Sequence, residues 1–185
     1  IQAPLIASQN ITATEQSLGS IETIFLRSNV QDILDRESKN SNLQNIRDET
    51  SRIDTLINNI VQKQFSTAEY KQIITLLSEY KIIIERAYNN ISDAYNLLVS
   101  LPEVPYLSFS YTEKDAYRVT LAGNRTQIQT ALSNVENWIK TFRDATANFD
   151  TRIAAEESAF TSAKGTRDRA AADITNYETS IGIDE

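Results

Sequence analysis

Apolar residues recur at intervals of three and four along most of this chain, the spacing that gives an α-helix one buried stripe. Leu18, Ile21, Ile24, Phe25, Val30, Ile33 and Leu34 predict a first helix, opened by the capping-box pattern Thr12-Ala-Thr-Glu15. Lys39-Asn-Ser-Asn42 predicts a turn, because Asn and Ser side chains compete locally for backbone hydrogen bonds. Leu43, Ile46, Thr50, Ile53, Ile57 and Ile60 predict a second helix. A second capping box, Ser66-Thr-Ala-Glu69, leads into the clearest element. There Tyr70, Ile73, Leu77, Tyr80, Ile84, Ala87, Ile91, Ala94 and Leu98 keep the alternating spacing that lays one seam along a long helix, as in a coiled coil.

The pattern breaks once. Pro102 and Pro105 stop the third helix near Ser100, and Leu107, Phe109 and Tyr111 then alternate with Ser108 and Ser110, a period of two that predicts a short extended arm. With Tyr106 these residues load a loop densely with apolar surface, which predicts that the arm docks on a partner. Helical spacing returns after Thr112-Glu-Lys-Asp115. Ile128, Ala131, Val135, Trp138, Phe142, Ala145 and Phe149 form one seam; after a one-residue slip, Ile153, Phe160, Ala163, Arg167, Ala170, Ile174, Tyr177 and Ile181 form another. Two readings of this stretch stand: one long bent helix, or a hairpin turning near Asn148 or near Lys164-Gly-Thr166. The domain organisation predicted is a single elongated unit: an extended segment over 1–11, three helices over 12–100, an aromatic arm over 101–112, and a long helix or helix pair over 113–185.

Composition sharpens this picture. The chain has 185 residues, 41% of them apolar, enough for a real core, but only four glycines and three prolines. So little punctuation argues against a strand-and-turn fold and for an all-α one. Cysteine, methionine and histidine are absent. Disulfides, thiol nucleophiles, iron–sulfur clusters and ordinary zinc or blue-copper sites are therefore excluded, as is most haem ligation. The net charge of −7 argues against a nucleic-acid partner. The abundance of Asn, Gln, Ser and Thr is of the kind found in exported appendages and virions. No apolar run is long enough to span a membrane. Ile1 in place of Met predicts a processed or excised chain, extracellular or in a virion.

Candidate chemistry is thin. Glu156-Glu157 and Asp168 are crowded carboxylates, but neighbours on a helix point apart, whereas glycoside chemistry needs two carboxyls converging across a cleft. A di-iron carboxylate bundle needs histidine, and no Gly-rich phosphate loop is present. The sequence therefore predicts no enzyme, no cofactor and no metal. Arg152 and Arg167 fall close to the apolar seam and are candidate contacts for an anion. The candidate contacts for a partner or for self-assembly are Tyr106, Leu107, Phe109 and Tyr111 in the arm, and Tyr70, Leu77, Ile84, Trp138 and Phe160 on the seams. Sequons occur at Asn10, Asn90 and Asn124.

Asp115-Ala-Tyr117-Arg118-Val119, then a helix, then Phe149-Asp150-Thr151-Arg152 and Thr166-Arg167-Asp168-Arg169, resembles pieces of the coat proteins of rigid rod-shaped plant viruses. In that family the subunit is a helical bundle and a similar Phe-Asp-Thr-Arg stretch belongs to the RNA-contacting region. The resemblance implies that Arg152 and Arg167 face nucleic acid.

These observations together predict an elongated antiparallel bundle of coiled-coil-like helices with one proline-bounded arm. The function expected is that of a structural or assembly protein, a subunit of a virion, filament or exported appendage acting by helix packing, with copies of itself or other structural subunits as partners. The alternative is an extracytoplasmic sensor domain in which a small anion binds arginines between helices; the viral-coat resemblance supplies a third reading.

Overall fold

A computed structural model describes the backbone of residues 3–61, 70–104 and 109–182, and the side-chain surroundings of 9–60, 72–104 and 109–182. The described residues are all-α. Five helices run α1 (Ala3–Phe25), α2 (Ser28–Arg36), α3 (Asn40–Val61), α4 (Tyr70–Ser100) and α5 (Tyr111–Ile181). The chain divides into two units, Ile1–Phe142 and Arg143–Glu185.

Where the helices begin and end differs from the sequence pattern in ways that have local causes. α1 starts at Ala3, so residues 3–11 of the segment predicted as extended are helical; Pro4 stands in the first turn, where no backbone N–H is needed. Thr12-Ala-Thr-Glu15 consequently lies inside α1 and caps nothing. The first predicted helix is two, because Arg27 is extended (φ −68°, ψ 133°) and its carbonyl accepts from the amides of Val30 and Gln31 at 3.0 Å to restart the chain as α2. Ser66–Glu69 lies outside the described residues.

The turn between α2 and α3 is centred on Ser38, with Asn40–Asn42 already helical. Ser38 has a φ of 54°, and the amide of Lys39 donates to the Leu34 carbonyl at 2.9 Å to close the end of α2. A left-handed residue at this place costs an L-amino acid about 1 kcal/mol that glycine avoids. Ser38→Gly is expected to raise the unfolding free energy by about 0.5–1 kcal/mol in urea titration, and Ser38→Val to lower it. Equal stability of the two variants would remove the strain argument.

The unit Ile1–Phe142 is built on one apolar core from α1–α4 and the first part of α5, including Leu18, Ile21, Phe25, Ile33, Leu34, Ile53, Ile57, Leu77, Ile84, Ile91 and Ile128. Polar contacts show how its helices run. Along α3 and α4, Lys39 meets Ser100 at 3.2 Å and Thr50 meets Asn90 at 2.8 Å, so the two are antiparallel. Likewise Lys81 of α4 reaches Glu136 of α5 at 3.0 Å while Arg125 reaches Tyr88 at 3.3 Å. Antiparallel neighbours follow from the short connections, and each helix turns its three–four stripe inward. The helical seam read along α4 is thus an internal one.

Tyr80 is 2% exposed within this core, and burial pushes its phenol above the usual range near 10. The folded chain therefore keeps a proton that the unfolded chain releases. Stability is full below about pH 10 and falls as pH climbs from there towards the raised value. Tyr80→Phe is expected to flatten that alkaline loss in pH-dependent denaturation; an unchanged slope would mean the loss arises elsewhere.

The second half of the arm is settled into the same core. Val104 and Phe109 exchange backbone hydrogen bonds at 3.1 and 3.4 Å, an isolated antiparallel bridge, and Phe109 is fully buried with its ring 6.5 Å from that of Tyr117. Ser110 then starts α5: its hydroxyl accepts from the Glu113 amide at 3.3 Å, the form of a capping box Ser-x-x-Glu that sets the helix start ahead of Thr112. Residues 105–108 lie outside the described residues.

The stretch for which a helix or a hairpin was predicted is one helix. Neither Asn148 nor Gly165 interrupts α5. The one-residue slip between Phe149 and Ile153 therefore lies within a continuous helix.

Candidate functional site

Two surfaces are candidates. The first is the stretch 143–181 of α5. Its heptad pattern is as regular as that of α4, yet its large apolar residues are exposed: Phe149, Ile153, Phe160, Ile174, Tyr177 and Ile181, with Phe160 at 72%. Among residues 143–182 only Thr146 and Gly165 are partly covered. A surface helix ordinarily spends such a stripe on a core. Here the stripe is exposed, with alanines at 154, 155, 159, 163 and 170–172 keeping the helix thin. Arg152 and Arg167 both lie on this stretch and are exposed; Arg167 donates to the Asp168 carboxylate at 2.7 and 3.1 Å.

The second surface is a groove of about 520 Å³ between α3 and α4, lined by Asn42, Asn45, Asn89, Asn90 and Asn96 together with Lys39, Glu49, Arg86 and Asp93. Arg86 makes a two-pronged contact with Glu49 at 2.7 and 3.0 Å, which raises the guanidinium above its ordinary value through that hydrogen bond. The groove's cations and carboxylates balance, and its main arginine is already paired. What it offers a ligand is carboxamide donors and acceptors, the chemistry for a neutral polar molecule. The other arginines between helices are also occupied: Arg125 lies over the rings of Tyr88 and Tyr95 at 5.6 and 5.4 Å, and Arg27 over Tyr117 at 5.3 Å.

The partner contacts expected from the sequence fall into four groups. Leu77, Ile84 and Phe109 are buried within one chain, so their contacts there are internal; the three–four stripe of Leu77 and Ile84 and the alternation that marked Phe109 both end in the same apolar core. Trp138 is half-buried and packs on Phe142 at 5.9 Å. Tyr111 and Phe160 are exposed at 66% and 72%. The side chain of Tyr70, and all of Tyr106 and Leu107, lie outside the described residues. The sequons at Asn10 and Asn90 are buried, and the Asn90 amide donates to Thr50, so neither side chain is presented for a glycan.

The asparagines of the groove went unnoticed in the sequence because they lie on two helices and converge only when α3 and α4 pack. Among the described residues no cluster of acidic side chains is arranged to hold a metal ion, and no helix is long and apolar enough to cross a membrane. The fold defines a helical-bundle protein. Comparison with protein-family models, with curated proteins and with solved structures finds no match.

Proposed function

We propose that this is a structural, assembly-forming protein, a subunit of a virion, filament or exported appendage, whose work is contact between helices rather than catalysis. The observation that carries the reading is the exposed heptad stripe of residues 143–181. Six large apolar side chains left in water along one helical face cost stability unless another surface covers them, at about 25 cal/mol per Å². Coiled-coil packing is the arrangement that heptad spacing serves. The absence of Cys, Met and His suits an exported or virion protein that must keep its surface chemically inert.

The test is sedimentation velocity on the full chain over a wide concentration range. Self-association in the micromolar range or tighter is expected; one monomeric species at every concentration would remove the assembly reading. The groove between α3 and α4 supports a second reading, a ligand-binding bundle for a neutral polar molecule. A thermal-shift screen of sugars and amides checks it, and Asn90→Leu should abolish any shift found.

A further inference from the structure

The charges on the exposed face of residues 143–181 select its partner. We propose that this segment docks on the same segment of a second copy, antiparallel and two-fold symmetric, with Arg167 of each copy paired with Glu156 of the other. The inference rests on the assembly reading above and adds the partner, the direction and the register.

Two rows of a heptad frame run along the segment. One holds Ile153, Phe160, Arg167 and Ile174; the other, three residues further on in each heptad, holds Phe149, Glu156, Ala163 and Ala170. Each row contains a single charge, positive in the first and negative in the second. In an antiparallel pair of helices the first row of one faces the second row of the other. Setting Arg167 against the second copy's Glu156 fixes every other layer. Phe160 then meets Ala163, Ile153 meets Ala170, and Ile174 meets Phe149, so that at the centre each large side chain faces a small one, as close packing requires.

The flanking positions agree with this register independently of the core layers. Arg152 falls beside Asp173 of the second copy, Glu157 beside Lys164, and Arg143 beside Glu178. All three are opposite-charge pairs, and the two-fold axis makes each occur twice. Within one chain Arg152, Glu156, Glu157, Lys164, Asp173 and Glu178 make no ion pair among the described residues. Arg167 is held only by its exposed neighbour Asp168, a contact that a rotamer change releases.

Other registers fail on the same residues. A parallel, in-register pair puts Arg167 on Arg167 and Glu156 on Glu156, with Asp173 beside Glu178. An antiparallel pair slid one heptad one way buries Glu156 against Ile174 and sets Lys164 on Lys164. Slid the other way, it buries Glu156 against Phe160 and Arg167 against Phe149, and sets Glu157 on Glu157. Unpaired charge in a helix interface is the strongest discriminator between alternatives.

The full chain tests this in two ways. Arg167→Glu alone and Glu156→Arg alone are each expected to weaken association on the order of a hundredfold in sedimentation, since each change faces like charges across both symmetric pairs. The chain carrying both changes is expected to associate within about threefold of the original, because the pair is restored with its sign reversed. No rescue would overturn the pairing. Since the chain has no cysteine, Ile153→Cys and Ala170→Cys give a second, independent measure. Mixed and oxidised, the two variants should form a covalent dimer that neither forms alone. An Ala170→Cys protein that cross-links to itself would establish a parallel pair and overturn the direction while leaving the assembly reading intact. A monomer at every concentration would overturn both. A dimer insensitive to Arg167→Glu and without the mixed cross-link would place association on another surface and overturn this proposal.

Discussion

Phe109→Ala is expected to lower the unfolding free energy by about 3–5 kcal/mol, whereas Tyr111→Ala, two residues along, should change it by less than about 0.5 kcal/mol. Phe109 has no exposed surface, stacks near Tyr117, and stands beside the bridge to Val104 that closes the passage from α4 to α5. Removing its ring leaves a cavity within the apolar core. Tyr111 is 66% exposed on the first turn of α5 and holds none of that core. Urea or guanidinium denaturation at neutral pH measures both. If Tyr111→Ala proved the more damaging, the arm would be a partner contact, as its aromatic content first indicates, rather than an internal closure.

Phe160→Glu combined with Ile174→Glu is expected to abolish self-association while leaving the thermal midpoint of the bundle unchanged within about 2 °C. Both side chains are exposed within the unit Arg143–Glu185, at 72% and 59%, so no cavity forms in the core of Ile1–Phe142 when they change. In a helix pair the same two positions would be central, and a carboxylate buried there without a partner costs several kcal/mol. Sedimentation and calorimetry on one preparation separate the outcomes. Undiminished association would remove the α5 stripe as the contact; a fall in the midpoint would show that the stripe serves the chain's own stability.

The tyrosine and serine substitutions described above probe the other end of the scale. Ser38→Gly alters one backbone conformation, and Tyr80→Phe one proton. Their effects are small because each touches a single local term, while Phe109 and the Phe160–Ile174 pair each anchor many contacts at once.

How much of this was legible in the chain depends on whether a feature is local. Capping, period and helix breaking act over a few residues, so the helical class, the seam of α4 and the interruption at Pro102 can all be read directly. Even local signals compete, though. Thr12-Ala-Thr-Glu15 has the form of a cap but falls inside α1, while the working cap at Ser110-Tyr-Thr-Glu113 was hidden in the alternation of the arm. The break at Arg27 carries neither proline nor glycine; it exists because α2 must turn Val30, Ile33 and Leu34 into the core already formed by Phe25. No pattern within the segment announces that.

The sequence by itself determined that this chain is helical and that the familiar chemistries of cysteine and histidine are closed to it. It also determined that apolar stripes run along both α4 and the end of α5. It could not say which stripe is filled by the chain's own helices and which is left open, because the two have the same spacing and similar residues. Only the tertiary structure decided that. Burial depends on what the rest of the chain brings alongside: Leu77, Ile84 and Phe109 lie buried in the core shared by the helices of Ile1–Phe142, while Phe160 and Ile174 are exposed. Heptad spacing specifies a face that needs a partner, and packing specifies whether the partner is already there.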